Sequence, residues 1–338
     1  MPFIVLPTAL FVLVSYKTSY DNIDRSMNEK MMESLQTANL SIQAELNKNA
    51  AVTDSFFVFA TTHSNSSLDV EYLYEDFLLG VIPLNKNTVG GGIWFEPYRF
   101  YSDHKFFGPY AYMSHGVPIF EAEYGSQIDY HREGWYNDGK NSNGEIVWSS
   151  VYHDPVPDVT MVTSTRAFYD VNGDFMGVTT ADMDIVDIRD IIKNIAVGNT
   201  GRAFLLGEYG EFISYRDDLS KSVDLHIQDD TDAELAALGT TLMASDSGIT
   251  SFKNHGVPQR VYFKRMSDVG WILAIAIDEA EISRSTLSQM FVLAIIPMVG
   301  LILAIASLLL SLNKLRRVAA KGQPLCATHR LRRLDGAN

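Results

Sequence analysis

The stretch VGNTGRAFLLGEYGEFISY, residues 197–215, decides how the chain is divided. Its residues from 201 onward have the pattern of a strand, a glycine turn and a second strand. This pattern comes after a first set of predicted strands and a helix, and it opens a second, smaller set. The sequence therefore predicts two successive modules that have the same general plan, with strand–turn–strand sheets flanked by helices.

Upstream of this stretch, the residue pattern predicts the strands of a first module. Three segments are predicted to be strands: residues 145–154, 160–170 and 174–185. The Asn-Gly pair in DVNGD, residues 170–174, predicts a hairpin turn between the last two. GGGIWFEPYRFY, residues 90–101, indicates a glycine turn that enters a strand, and IVDIRDIIKNIAVG, residues 185–198, indicates a helix that ends at Gly198.

Downstream of the stretch, the second module continues with a helix and three strands. ELAALGTTLMAS, residues 234–245, is helical in pattern, and residues 248–277 contain three strand segments separated by the turns NHG and SDVG. Before both modules, residues 17–60 are predicted to form one long helix, since they contain neither Gly nor Pro. Such a helix would serve as a stalk and a homodimer contact, or it would pack against its own domain.

An apolar segment near the carboxyl end predicts a membrane-spanning helix. No residue from 285 to 313 is charged, and residues 290–312 alone are long enough to cross a hydrocarbon layer of about 30 Å. Pro297 and Gly300 would weaken a soluble helix but are tolerated within a membrane. We expect the span at residues 286–312. The apolar residues 1–16 are expected to be a partial first transmembrane helix or a signal anchor.

The charge distribution predicts the topology. After Leu312 the chain has seven Lys or Arg residues and one acid, whereas the remainder carries 20 basic and 40 acidic side chains. By the positive-inside rule, residues 313–338 form a short basic cytoplasmic tail and the acidic part is periplasmic, on the outer side of the inner (plasma) membrane. The single cysteine, Cys326, is in that tail, so the outer domain has no disulfide. No nucleic-acid-binding motif is present.

The order of these elements and several short motifs carry a family resemblance. The motifs are GIWFEPY, FFGPYAY, REGWY, VWSSVYHDP, GVTTADMDI, the opening stretch and VGWILAIAI. Together they resemble the bacterial double Cache sensors, the extracytoplasmic regions of chemoreceptors, sensor histidine kinases and diguanylate cyclases. The resemblance implies an α+β fold with a long amino-terminal stalk helix and two tandem Cache (PAS-like) modules. The sensor would occupy residues 17–285, with a membrane-distal module over about 60–195 and a membrane-proximal module over about 196–282.

The resemblance also implies a ligand pocket in the distal module. Five residues fall on pocket positions by motif matching: Trp135, Tyr136, Tyr152, Asp154 and Asp182. The amino-acid sensors of the family have an arginine two residues before the tryptophan and a tyrosine seven residues before it. Here those positions are Glu133 and Ile128. Arg132 is one residue away, and neighbours in an extended segment point to opposite faces. The departures favour a cationic amine over an α-amino acid, with Glu133 as a sixth ligand-binding residue.

The residue types give this expectation a physical basis. An ammonium group needs carboxylates in place of its hydration shell and aromatic faces for cation–π contact. Glu133, Asp154 and Asp182 would supply the first, and the aromatic residues the second. Four of these residues also have a structural alternative: an ion pair with Arg132 or another surface base for Glu133, a hydrogen bond to the backbone for Asp182, and core packing for Trp135 and Tyr136.

Enzymatic functions find little support in the sequence. The histidines show no HExxH spacing, no G-x-S-x-G motif is present, and the D-x-D-x-D-G pattern of a calcium loop is absent, so we expect no catalysis, cofactor or metal. The expected function is transmembrane signal transduction by a ligand-binding receptor, for example in chemotaxis. The alternatives are the sensory part of a truncated histidine kinase or diguanylate cyclase, an amino-acid-sensing chemoreceptor, and a membrane-anchored binding protein without output.

Overall fold

Helix α1 (Pro2–His63) confirms the long amino-terminal helix. The computed structural model describes residues 2–64, 71–121, 128–155, 157–215 and 225–321. Within the compact unit Ser26–Ile282, apolar residues of α1 recur every three or four positions and are fully buried. Met31 and Leu35 share a core with residues of both sheets, and Phe56 shares another with the first sheet. This part of α1 therefore packs against its own domain along one stripe.

The first sheet has seven antiparallel strands in the order β3-β2-β1-β7-β6-β4, and β5 also pairs with β6. Helix α2 (Glu71–Val81) precedes this sheet, and the short helix α3 (Gly134–Lys140) packs on one of its faces. The predicted hairpin is confirmed, because Asp170 and Asp174 close the turn with a 2.9 Å backbone hydrogen bond. The strands are β1 (Thr88–Phe95), β2 (Tyr110–Ser114), β3 (Val117–Glu121), β4 (Val147–Trp148), β5 (Tyr152–Asp154), β6 (Val159–Tyr169) and β7 (Phe175–Asp184).

The second sheet follows helix α4 (Ile185–Lys193) and has the order β10-β9-β13-β12-β11, with β8 paired to β9. Helix α5 (Ala233–Met243) packs on one face of it. The predicted strand–turn–strand unit, the helix and the three final strands are all confirmed. The strands are β8 (Ala196–Val197), β9 (Gly201–Leu206), β10 (Phe212–Tyr215), β11 (Ser247–Asn254), β12 (Val257–Arg265) and β13 (Ile272–Asp278). The α+β class with two sheet modules after a long helix is therefore confirmed.

Three local predictions are wrong. The glycines of residues 90–101 lie inside β1 and not in a turn. Glycine is needed there because a Cβ on Gly91 would come within 2.6 Å of the Phe56 ring and of a carbonyl on β7. The predicted strand 145–154 is split into β4 and β5, since the Ser149 hydroxyl accepts the Thr163 N–H at 3.0 Å in place of continuous pairing. Helix α4 ends at Lys193 rather than Gly198, because residues 196 and 197 pair with β9.

Buried polar groups attach α1 to the first sheet. The Asn49 amide donates to the Ala181 carbonyl at 2.8 Å and to Ser164 Oγ at 3.1 Å, and its oxygen accepts from Thr88 Oγ1 at 2.8 Å. One helical turn later, the Thr53 carbonyl accepts from the Thr179 hydroxyl at 3.2 Å. Asn49 and Thr53 are fully buried, so these bonds replace water that the groups have lost.

Helix α6 (Glu279–Lys321) contains an apolar segment, Met298–Val318, with a mean hydropathy of 2.0. Among the described residues it is the one helical segment that is long and apolar enough to cross a membrane. The bounds 286–312 and the amino-terminal span over residues 1–16 stay predictions. The tail beyond residue 321, which includes Cys326, lies outside the described residues.

Candidate ligand-binding site

The REGWY motif does not adopt the extended conformation that the sequence was expected to give it. Tyr130–Arg132 is a single 3-10 turn, and α3 begins directly afterwards at Gly134. Only Glu133 between them is extended, with φ −68° and ψ 144°, and its side chain is exposed at the amino-terminal end of α3. Arg132 does not pair with it, because its Nε lies 3.2 Å from Asp129 Oδ2. A ligand contact of Glu133 therefore stays a prediction.

The two aromatic residues of the motif are buried against the first sheet. The Trp135 ring lies 5.0 Å from that of Trp94 on β1, and both belong to one aromatic cluster. Tyr136 instead points its hydroxyl at Glu96, to which it donates at 2.7 Å. Lys140 donates to the other Glu96 oxygen at 2.9 Å. Burial raises the pKa of Glu96, but the hydrogen bonds from Lys140 and Tyr136 outweigh it and lower that pKa below its usual value.

Asp182 lies near the carboxyl-terminal end of β7, on the sheet face that carries Trp94. Its neighbours across the strands are Thr163 on β6 and Gly90 on β1. Thr163 Oγ1 donates to Asp182 Oδ1 at 2.8 Å, and the Tyr110 hydroxyl donates to Oδ2 at 3.1 Å. The side chain is buried, with 4% exposure. Both of these partners of Asp182 are side-chain hydroxyl groups, whereas the structural alternative considered for this residue was a hydrogen bond to the backbone.

Two further predicted residues belong to the same arrangement. The Tyr152 hydroxyl lies 2.7 Å from Thr163 Oγ1, and Asp154, from the same strand β5, is 6% exposed. We call Tyr110, Tyr152, Asp154, Thr163 and Asp182 the aspartate cluster. Burial raises the pKa of Asp182 to about 7; the hydrogen bonds from Thr163 and Tyr110 oppose this rise and the charge of Asp154 adds to it.

A glycine makes this cluster possible. A Cβ at Gly90 would lie 2.4 Å from the Tyr110 hydroxyl and 3.0 Å from Asp182 Oδ2. Both distances are shorter than normal contacts, so any side chain at position 90 would push the hydroxyl away from the carboxylate. The glycine run that was expected to form a turn is therefore needed within the strand, because it leaves room for the cluster.

Sequence reasoning missed four residues around the site: Trp94, Glu96, Tyr110 and Thr163. The hairpin turn at residues 170–174 does not by itself indicate Thr163, because a bulge between Phe168 and Tyr169 shifts the register by one residue and pairs Thr163 with Asp182 instead of Ala181. For the other three, no local pattern indicates which strand pairs with β7. Within residues 2–64, 71–121, 128–155, 157–215 and 225–321, no group of three or more His, Cys, Asp or Glu side chains is arranged to hold a metal ion.

Comparisons with known proteins agree with the fold described above. Residues 74–190 match the family described as methyl-accepting chemotaxis protein-like, first PDC sensor domain. The extracellular domain of mmHK1S-Z2, described as a histidine kinase, aligns with a TM-score of 0.63 and 16% identity over 75% of this chain and 97% of that one. The fold is that of a double Cache sensor domain. The recognition made from the sequence motifs is therefore confirmed.

Two other structural neighbours were solved with amino acids. The ligand-binding domain of Mlp24 with asparagine has a TM-score of 0.56 and 14% identity, and covers 79% of this chain and 98% of its own. The sensory domain of the Campylobacter jejuni chemoreceptor Tlp3 (CcmL) with isoleucine bound has a TM-score of 0.58 and 12% identity, with the same coverage. No curated protein sequence matches the chain. At these identities the neighbours establish the fold of this double Cache domain and not its ligand.

Proposed function

We propose that the chain is a transmembrane receptor whose first sheet module binds a small cationic amine at the aspartate cluster. The observation that supports this most directly is the pair of buried carboxyl groups, Asp154 and Asp182, on one sheet face. Among the described residues, the side chains that act on the Asp182 carboxyl are two hydroxyl groups, which donate hydrogen bonds to it, and the second carboxyl, whose charge repels it. None of these groups is a base. Like charges in a buried site repel each other, and a cation between them removes that cost.

The aromatic surroundings fit the same ligand. Trp94, Tyr110 and Trp135 belong to one buried cluster, and the partly buried Tyr152 packs against it. Aromatic faces attract an ammonium group by roughly 0.5–2 kcal/mol each, and most where water is excluded. The cationic group would lie against these rings while its N–H groups meet the carboxylates. We propose that Glu133, which is exposed, contributes less than the two aspartates.

An α-amino acid is the second candidate, because two structural neighbours carry one. Its ammonium group would use the same aspartates, whereas its carboxylate would need a basic partner. The position that bears an arginine in the amino-acid sensors is Glu133 here, and Arg132 is engaged with Asp129. We therefore place amines first. The output, whether chemoreceptor, kinase or cyclase, would lie outside the sensor.

The experiment compares two ligands that differ only by a carboxylate. Isobutylamine and valine share the same side chain and ammonium group, and each would be titrated calorimetrically into the full chain in lipid nanodiscs. Binding of the amine, weakened by at least about tenfold in Asp182→Asn, supports the proposal. Binding of valine alone, or amine binding that Asp182→Asn leaves unchanged, would reject it. Glu133→Gln is the matched control, because it removes an exposed carboxylate from the same module.

A further inference from the structure

The second sheet carries a cavity that the aspartate cluster does not explain. Its volume is about 220 Å³, equal to about seven waters at roughly 30 Å³ each. It lies on the sheet face that α5 covers, where alternate residues of five strands point the same way. The cavity is lined by Arg202, Phe204, Tyr215, Phe252, Asn254, Gln259 and Ala276.

One lining group is a buried acceptor that has no partner. Gln259 is 8% exposed, and its Nε2 donates to Asp278 Oδ1 at 2.8 Å. This bond fixes the orientation of the amide, because only the nitrogen side is able to donate to a carboxylate. The Oε1 atom is therefore directed away from Asp278, and it is buried without a hydrogen bond to the described residues. A buried acceptor in this state favours an occupant with an O–H or N–H group.

The opposite side of the cavity carries its one charged lining residue. Arg202 is exposed, and its Nη1 donates to the Gly201 carbonyl at 2.8 Å and to the Asn199 carbonyl at 3.3 Å. These bonds hold the guanidinium in place and leave further N–H groups of its planar fork for a ligand. A guanidinium in this arrangement matches a carboxylate, which accepts two parallel hydrogen bonds.

The sheet register sets the distance between these two groups. Arg202 lies opposite Ala276 on β13, and Gln259 lies one strand further, opposite Asp278. Two strand intervals separate their backbones by roughly 10 Å. The small side chain of Ala276 leaves the space between them open, and the rings of Phe204 and Phe252 add apolar walls. A single ring with polar groups at opposite ends has the length to connect them.

We propose that this cavity is a second ligand site, which binds a small ring-containing carboxylate that has a hydroxyl or N–H donor at its other end. Arg202 binds the carboxylate, Gln259 Oε1 accepts the donor, and the phenylalanines pack against the ring. This chemistry is the reverse of that at the aspartate cluster, which favours a cation. The chain would thus respond to two compounds of opposite charge through its two modules.

The test uses 4-hydroxybenzoate, with benzoate and phenol as probes that each lack one polar end. Each is titrated into the full chain in lipid nanodiscs. We expect saturable binding of 4-hydroxybenzoate, weaker by about tenfold for each truncated probe and for Arg202→Met, which changes an exposed side chain. Ala276→Leu, which fills the cavity, abolishes binding of all three probes.

The proposal would be overturned if no probe bound saturably up to about 5 mM, or if Ala276→Leu and Arg202→Met left the binding unchanged. Asp182→Asn separates this site from the aspartate cluster, since none of the probes carries an ammonium group and that substitution leaves their binding intact. Loss of 4-hydroxybenzoate binding in Asp182→Asn would place the ligand in the wrong module and also reject the second site. Isobutylamine binding that persists in Ala276→Leu shows that the variant is folded.

Discussion

The pH dependence of amine binding is the sharpest consequence of the aspartate cluster. Burial raises the pKa of Asp182 to about 7, so this carboxyl is mostly protonated at pH 6 and mostly ionised at pH 8. A cation binds the ionised form, and each pH unit below the pKa therefore lowers the apparent affinity by up to tenfold. Between pH 8 and pH 6 we expect isobutylamine to bind about tenfold more weakly. The amine itself stays protonated over this range, as alkylammonium groups titrate near pH 10.

Substitution of Asp182 by Asn keeps the shape and removes the charge. Loss of a charge-assisted hydrogen bond costs roughly 1.5–3 kcal/mol, so at pH 8 the variant should bind isobutylamine about 10- to 150-fold more weakly. Its affinity should also become nearly independent of pH, because the titrating group is gone. Calorimetry at pH 6, 7 and 8 on both proteins measures the two effects. A wild-type affinity that is constant from pH 6 to 8 would refute the raised pKa of Asp182, and the same slope in Asp182→Asn would show that Asp182 is not the titrating group.

Three further predictions concern Asp182, the close packing at Gly90, and the contacts of Asn49 with the first sheet. Because its pKa is raised above the unfolded value of about 3.9, Asp182 lowers the free energy of unfolding as pH rises from about 4 through 7; thermal melts from pH 5 to 8 should show a falling melting temperature that flattens in Asp182→Asn. Gly90→Ala should abolish amine binding, since its Cβ displaces the Tyr110 hydroxyl; Gly80→Ala, at an open position on helix α2, is the control, and a Gly90→Ala protein with normal affinity would disprove the close packing. Asn49→Ala should lower the free energy of unfolding by about 2–3 kcal/mol in urea titrations, because it removes three buried hydrogen bonds, with the Ala181 carbonyl, Ser164 Oγ and Thr88 Oγ1; a change below about 0.5 kcal/mol would contradict this.

Regular periodicity made most of the fold predictable from the sequence. The three- and four-residue spacing along α1 marks its buried stripe, and the turn residues between the apolar segments separate β6 from β7 and β11, β12 and β13 from one another, so element type and order could be predicted. The errors came where tertiary contacts override local pattern. Gly90 and Gly91 read as a turn because glycine is permissive, but they are in β1 because the Phe56 ring and the Tyr110 hydroxyl occupy the space of a side chain.

The site was predicted in part for the same reason. Asp182 stood out because a carboxylate within an apolar strand requires partners, and the structure supplies Thr163 and Tyr110. Glu133 was read from its neighbours as part of an extended segment, whereas Gly134 begins a helix whose amino-terminal end is exposed. The cavity of the second sheet has no sequence signature at all. It arises because Ala276 is small at a position where strand register, and not local sequence, brings Arg202 and Gln259 to the same face.

The buried amide of Asn49 restricts how α1 is able to move against the first sheet. A helix that touches a sheet only through apolar side chains is able to slide by a fraction of a turn at little cost, because such contacts have no direction. Here an axial shift or a rotation of α1 would break several directional bonds at once and leave buried groups without partners. Small tilts about this point preserve the bonds. A change in the curvature of the first sheet would therefore tilt α1 about Asn49 instead of displacing the helix along its axis.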